Sequence, residues 1–264
     1  MTRQPEVGEI PEDIETQLVG LQKEFDDIQV QLLKESTRLQ APLFDKRAEL
    51  LSKVDGFWPQ ALTNCIATNV YIDDDDHQLL DSLTKIDVKR NPDDLRGALI
   101  EFHFKPNDFI SDSVLVKEFK ADPDSEPFSV DFDFAADTVP VKTQINWKSD
   151  DKNLSKLKPT VGDLKEVEDE EDEEPDFEPG SFFSSFFDSE SRQVAGSIGR
   201  AIVEEFFPFA VEHFRGEMDD EEEFDEDDED EDEDDDEEDE EDEDDDQREI
   251  DLEEEERPRK KGRK

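Results

Sequence analysis

The chain holds one cysteine, Cys65, so no disulfide can close within it and a reducing compartment is the expected setting. No apolar run approaches the ~18 residues of a membrane-spanning helix, and no basic-then-apolar leader opens the sequence. A soluble, intracellular protein without membrane contact is the expectation. Motifs that carry chemistry are equally scarce. There is no glycine-rich phosphate loop, no nucleophile elbow and no zinc-type cysteine pair, which argues against an enzyme and predicts no cofactor and no metal. His77, His103 and His213 lie far apart in sequence. His103 alternates with Phe102 and Phe104, the setting of a surface or hydrogen-bonded histidine rather than a ligand. Asp73 to Asp76 has the charge of a calcium loop but neither the glycine nor the distal glutamate of an EF-hand, so it reads as a solvated loop.

Positive charge is the scarcest property: 30 Lys and Arg stand against 82 Asp and Glu, a net charge of −52. The excess is uneven. Residues 217–256 hold 34 acidic residues and one arginine. Side chains that repel one another with almost nothing apolar to bury cannot offset the entropy of ordering the backbone, so this segment is expected to be a disordered tail. Residues 257–264 reverse the sign with six basic residues. Arg259, Lys260, Lys261, Arg263 and Lys264 read as a short basic import signal, hence an import receptor, a nuclear location and possible shuttling with the cytoplasm. What precedes the tail keeps 19 of the 20 phenylalanines, enough for one core. A chain this acidic repels nucleic acid, so direct DNA binding should be weak or absent and the partner a strongly cationic protein.

The strongest pattern is a helix expected over residues 11–55, after a polar lead at 1–10. Ile14, Leu18, Leu21, Phe25, Ile28 and Leu32 follow steps of four and three, a coiled-coil seam that Leu39 resumes one heptad on. Such a helix outruns the core of its own domain, so a second copy of the chain is the simplest cover. Pro42 should kink or interrupt it. Beyond Gly56, residues 56–216 read as one α+β domain with an antiparallel sheet and flanking helices. Strands are expected around 83–90, 99–104 and 114–120, with turns at Asn91 and Lys105. FSVDFDF (residues 128–134) alternates apolar and polar and reads as a strand, and a further strand or extended segment should run over 139–147. Residues 166–174 form an acidic excursion. SFFSSFF (181–187) should dock on the sheet, and Val194, Ile198, Ile202 and Phe206 mark a helix stripe.

Several segments resemble the nucleosome assembly protein family and, within it, the SET or template-activating-factor branch. These are LQAPLFDKRAELLSKVDGFWPQALTN (39–64), SVLVKEF (113–119), INWKS (145–149), SFFSSFF and AIVEEFFP (201–208), in that order and followed by an acidic tail. The basic tip and the insertion at 166–174 depart from the pattern. The resemblance implies a homodimer joined by paired antiparallel helices, each leading to an earmuff-like α+β domain that holds core histones at its acidic underside. It implies histone chaperoning without ATP, in nucleosome assembly and chromatin remodelling, with Glu204 and Glu205 as binding residues beside tail carboxylates such as Asp227, Asp230, Glu231, Asp234, Glu237 and Asp242. It also allows an alternative: a regulator that inhibits a protein phosphatase or masks histones from acetylation, with chromatin-modifying enzymes as partners.

Overall fold

The computed structural model describes Gly8, residues 10–162 and residues 177–218. The expected acidic excursion, the tail beyond Met218 and the basic tip lie outside the described residues.

Helix α1 (Glu12–Leu51) is a single element of 40 residues, about 60 Å long at ~1.5 Å per residue. Pro11 precedes it, and Glu12, Asp13 and Glu15 fill its first turn, where carboxylates meet the positive end of the helix dipole. Of the two effects expected of Pro42, interruption does not occur: the proline lies inside the helix without ending it. Proline removes one N–H and so releases the carbonyl four residues earlier. That carbonyl belongs to Arg38, an exposed residue, where water can take over as donor. The helix stops at Leu51, short of Val54, and Gly56 (φ 72°) makes the left-handed turn that leads into α2 (Phe57–Asn64). The C-terminal end of α1 is anchored. Phe44 packs 4.9 Å from Phe207, and the Arg47 guanidinium lies 4.6 Å from both rings while donating to the carbonyls of Phe207 at 2.6 Å and Pro208 at 2.9 Å.

Strands β1 (Leu83–Asn91), β2 (Asp94–Phe104), β3 (Val114–Ala121) and β4 (Thr138–Val141) form an antiparallel meander in chain order. Pro92 and Asp93 alone connect β1 to β2, as the turn sequence predicts. Ile86, Ile100, Phe102, Leu115 and Phe119 are buried on the inner face, and two helical segments cover it. The first is α3 (Phe183–Asp188) within SFFSSFF, all four of whose phenylalanines are 0 % exposed. Phe102 lies 5.3 to 5.9 Å from three of them. The second, α4 (residues 192–206), buries Val194, Ile198, Ile202 and Phe206 as their spacing predicts. Its two ends are wound more widely than an α-helix, with Gly196 N–H bonded to the Ser191 carbonyl and Phe207 N–H to that of Ile202. Gly199 lets α4 approach the sheet, since a Cβ there would sit 2.3 Å from the Phe119 ring. Helix α5 (Ala210–Arg215) closes the domain against α2, with Phe57 stacked on Phe214 at 4.7 Å.

One strand expectation is corrected. FSVDFDF forms no strand: Asp133 caps a helical turn at Phe134–Asp137 by accepting from the amides of Ala135 and Ala136. Phe128 folds onto Phe132 at 5.0 Å, and Val130, expected on the packed face, is 42 % exposed. The edge of β3 is instead taken by β4, which ends at Val141. From there to Trp147 the chain is extended and makes one further bridge, Ile110 to Trp147.

Candidate functional site

The seam residues share one face of α1, and nothing among the described residues covers them. Ile14, Leu18, Leu21, Phe25, Ile28, Leu32 and Leu39 are between 42 % and 62 % exposed, and no residue of α1 is buried. A contiguous apolar strip of this kind marks an interaction surface. It ends where the anchoring contacts of Phe44 and Arg47 begin.

Glu204 and Glu205 sit on the widely wound end of α4 and part company. Glu204 is exposed. Partial burial raises its pKa, while Arg90 and Arg200 pull it down and Asp133 pushes it up. Arg200 also pairs with Asp133 at 3.3 Å, so two carboxylates are matched by two guanidinium groups and the local potential is close to balanced. Glu205 is half-buried and turns inward, its Oε1 3.8 Å from the Cys65 sulfur. The tail carboxylates Asp227, Asp230, Glu231, Asp234, Glu237 and Asp242, and the import residues from Arg259 to Lys264, lie outside the described residues.

The structure also gathers groups that sequence reasoning separated. Asp76 was expected in a solvated loop, yet it is 0 % exposed. Its carboxylate accepts from the Ser181 hydroxyl, from Phe182 N–H at 2.7 Å and from Asp73 N–H at 2.9 Å. It thereby fixes the start of SFFSSFF against the loop before the sheet. Lys158 holds the same loop through both oxygens of Asp73 at 3.0 Å. A second grouping brings Cys65, Glu205 and His213 together, with one donor atom from each lying within 4.8 Å of the others. Burial, the largest influence, pushes the Cys65 thiol up and Glu205 adds to the rise, against hydrogen bonding from Thr68 and Ala67. No spacing in the sequence signals this trio, because its members are 140 and 8 positions apart. His103, read as a surface or hydrogen-bonded residue, lies with its Nε2 3.3 Å from Glu101.

A family model described as nucleosome assembly protein matches residues 49–257 of this chain. The Drosophila melanogaster protein SET is 33% identical over 120 residues, covering 46% of this chain and 42% of the relative. Human protein SETSIP is 28% identical over 220 residues, covering 83% and 69% respectively. Among solved structures, the Vps75 histone chaperone superposes with a TM-score of 0.55 at 18% identity, covering 78% of this chain and 97% of that one, a likeness of fold.

Proposed function

Because this chain belongs to the nucleosome assembly protein family, we propose that it is an ATP-independent, non-catalytic histone chaperone. In this reading a homodimer holds core histones on carboxylate-rich surfaces and passes them to DNA in nucleosome assembly and chromatin remodelling. The observation that carries it is the placement of charge. The family match runs on through residues 217–256, which concentrate 33 of the 52 net negative charges.

The mechanism follows from the weakness of each contact. Histones bind DNA partly by pairing Lys and Arg with phosphates and releasing counterions. Carboxylates offered to the same side chains suppress off-register aggregates, but an exposed ion pair is worth only ~0–1 kcal/mol and is screened over ~8 Å in physiological salt. Many such contacts hold a histone by avidity and still let it go to the more stable complex on DNA. The tail steers and captures, and the folded domain of residues 56–216 supplies fixed geometry. Glu204, the exposed member of the Glu204 and Glu205 pair, is the proposed contact on that domain, in addition to the tail carboxylates from Asp227 to Asp242. Pairing along Ile14 to Leu39 brings two such domains together, and Arg259 to Lys264 would direct the protein to the nucleus through an import receptor.

Removal of residues 217–264 tests this. At about 0.15 M salt, the truncated protein should bind core histones more weakly and allow more histone–DNA aggregation while remaining a dimer. Undiminished histone affinity would refute the role given to the tail.

A further inference from the structure

We propose that Cys65, Glu205 and His213 form a binding site for one zinc-class divalent cation, with water in the fourth position, that ties α5 to α4 and to the end of α2.

One of the three spacings already suits a tetrahedral ion. With metal–sulfur and metal–oxygen bonds of ~2.3 and ~2.1 Å, two ligands at the tetrahedral angle stand about 3.6 Å apart. The Cys65 sulfur and Glu205 Oε1 are 3.8 Å apart, and all three donor atoms fall within 4.8 Å of one another.

The donors also choose the ion. One sulfur, one imidazole nitrogen and one carboxylate oxygen suit zinc and its tetrahedral relatives, whereas magnesium and calcium demand oxygen ligands. This distinction matters in a chain with 82 carboxylates, most of which offer any cation only weak, exposed oxygen contacts. Among the described residues no other trio of His, Cys, Asp or Glu meets the same spacing.

The supports are packed elements rather than loose loops, as a preorganised site requires. Cys65 is 0 % and His213 2 % exposed. The Asn64 side chain donates to the His213 carbonyl at 2.9 Å, and Gln60 donates to that of Phe214 at 3.1 Å. Half-buried Glu205 is the most accessible of the three. On binding, the Cys65 S–H bond breaks, its proton passes to water, and the thiolate sulfur forms the metal bond.

Cobalt(II) titration of the full-length, reduced protein tests the site, because cobalt bound to thiolate gives a charge-transfer absorption that carboxylates cannot produce. One equivalent should saturate the band, and zinc should displace it. Cys65→Ser should abolish it. Glu205→Gln, at a half-exposed position, should weaken binding by at least the ~10–100-fold typical of losing even an outer-shell partner. Absence of the band with the thiol verified as reduced, or an unchanged affinity in Glu205→Gln, would overturn the proposal. No histone enters the assay, so its result is independent of the chaperone reading.

Discussion

Replacing Lys117 with methionine should stabilise the protein, by an amount that depends on pH. Lys117 lies on the inner face of β3, 0 % exposed, with its ammonium 5.9 Å from the ring centres of Phe119 and Phe186. Among the described residues the ammonium makes one hydrogen bond, to the Ser189 carbonyl at 2.7 Å. Burial outweighs the help of Glu190 and Asp188 and pulls its pKa from 10.5 to about 7. Between those values the unfolded chain holds a proton that the folded chain has released, so stability rises with pH across this window. Below about pH 7 both states are charged and the fold bears the whole cost. At 1.36 kcal/mol per pH unit the drop corresponds to an upper bound of about 5 kcal/mol. Losing the hydrogen bond returns about 1 kcal/mol, and replacing buried charge by apolar side chains stabilises by ~1–4 kcal/mol in other proteins. Lys117→Met should therefore gain roughly 2–4 kcal/mol at pH 6, with the gain gone by about pH 10, where the native lysine is folded in its neutral form. Urea unfolding of both proteins at one fixed concentration, from pH 6 to 10, reads the difference directly. A difference that stays flat with pH, or a variant less stable at pH 6, would refute the reasoning.

Leu21→Glu combined with Ile28→Glu should leave a folded monomer, because both side chains are about half exposed and touch no core; sedimentation that still shows dimers would discard the α1 seam. Asp76→Ala should cost roughly 2–4 kcal/mol, since it leaves the buried amide of Phe182 and the part-buried amide of Asp73 without an acceptor at ~1–3 kcal/mol each. Thermal melts and amide exchange across residues 181–187 would register it, and unchanged protection there would contradict the anchoring role.

What the sequence disclosed were patterns that repeat within a few residues. The stripe from Val194 to Phe206 and the phenylalanines of SFFSSFF announce burial by their own spacing, and both are fully buried. FSVDFDF shows the limit of that logic. Alternation says which faces a strand would have but not whether an edge is open to pair with, and Asp133 offers its carboxylate to two local amides instead. At Pro42 the sequence left interruption open for a related reason: the cost of a proline depends on whether the released carbonyl meets water. Asp76 and the Cys65, Glu205 and His213 trio were illegible because Phe182 reaches Asp76, and Glu205 reaches Cys65, from more than 100 positions away. An acid in an acidic run looks solvated until the fold places amides beside it.

The length of α1 answers a problem that the charge creates. Each chain carries a net charge of −52, and two copies brought together domain to domain would repel. The uncovered strip lies on the N-terminal two-thirds of the helix, whereas Phe44 and Arg47 fix the domain to its C-terminal end. If two copies pair antiparallel along the strip, as the family resemblance implies, their domains stand at opposite ends of a rod of about 60 Å. That is several times the ~8 Å over which exposed charges act in physiological salt. The apolar seam can then hold the pair without opposing the full repulsion between domains, and each acidic surface stays open to a cationic partner. Continuity through Pro42 matters for the same reason, because a helix broken there would uncouple the seam from the domain it positions.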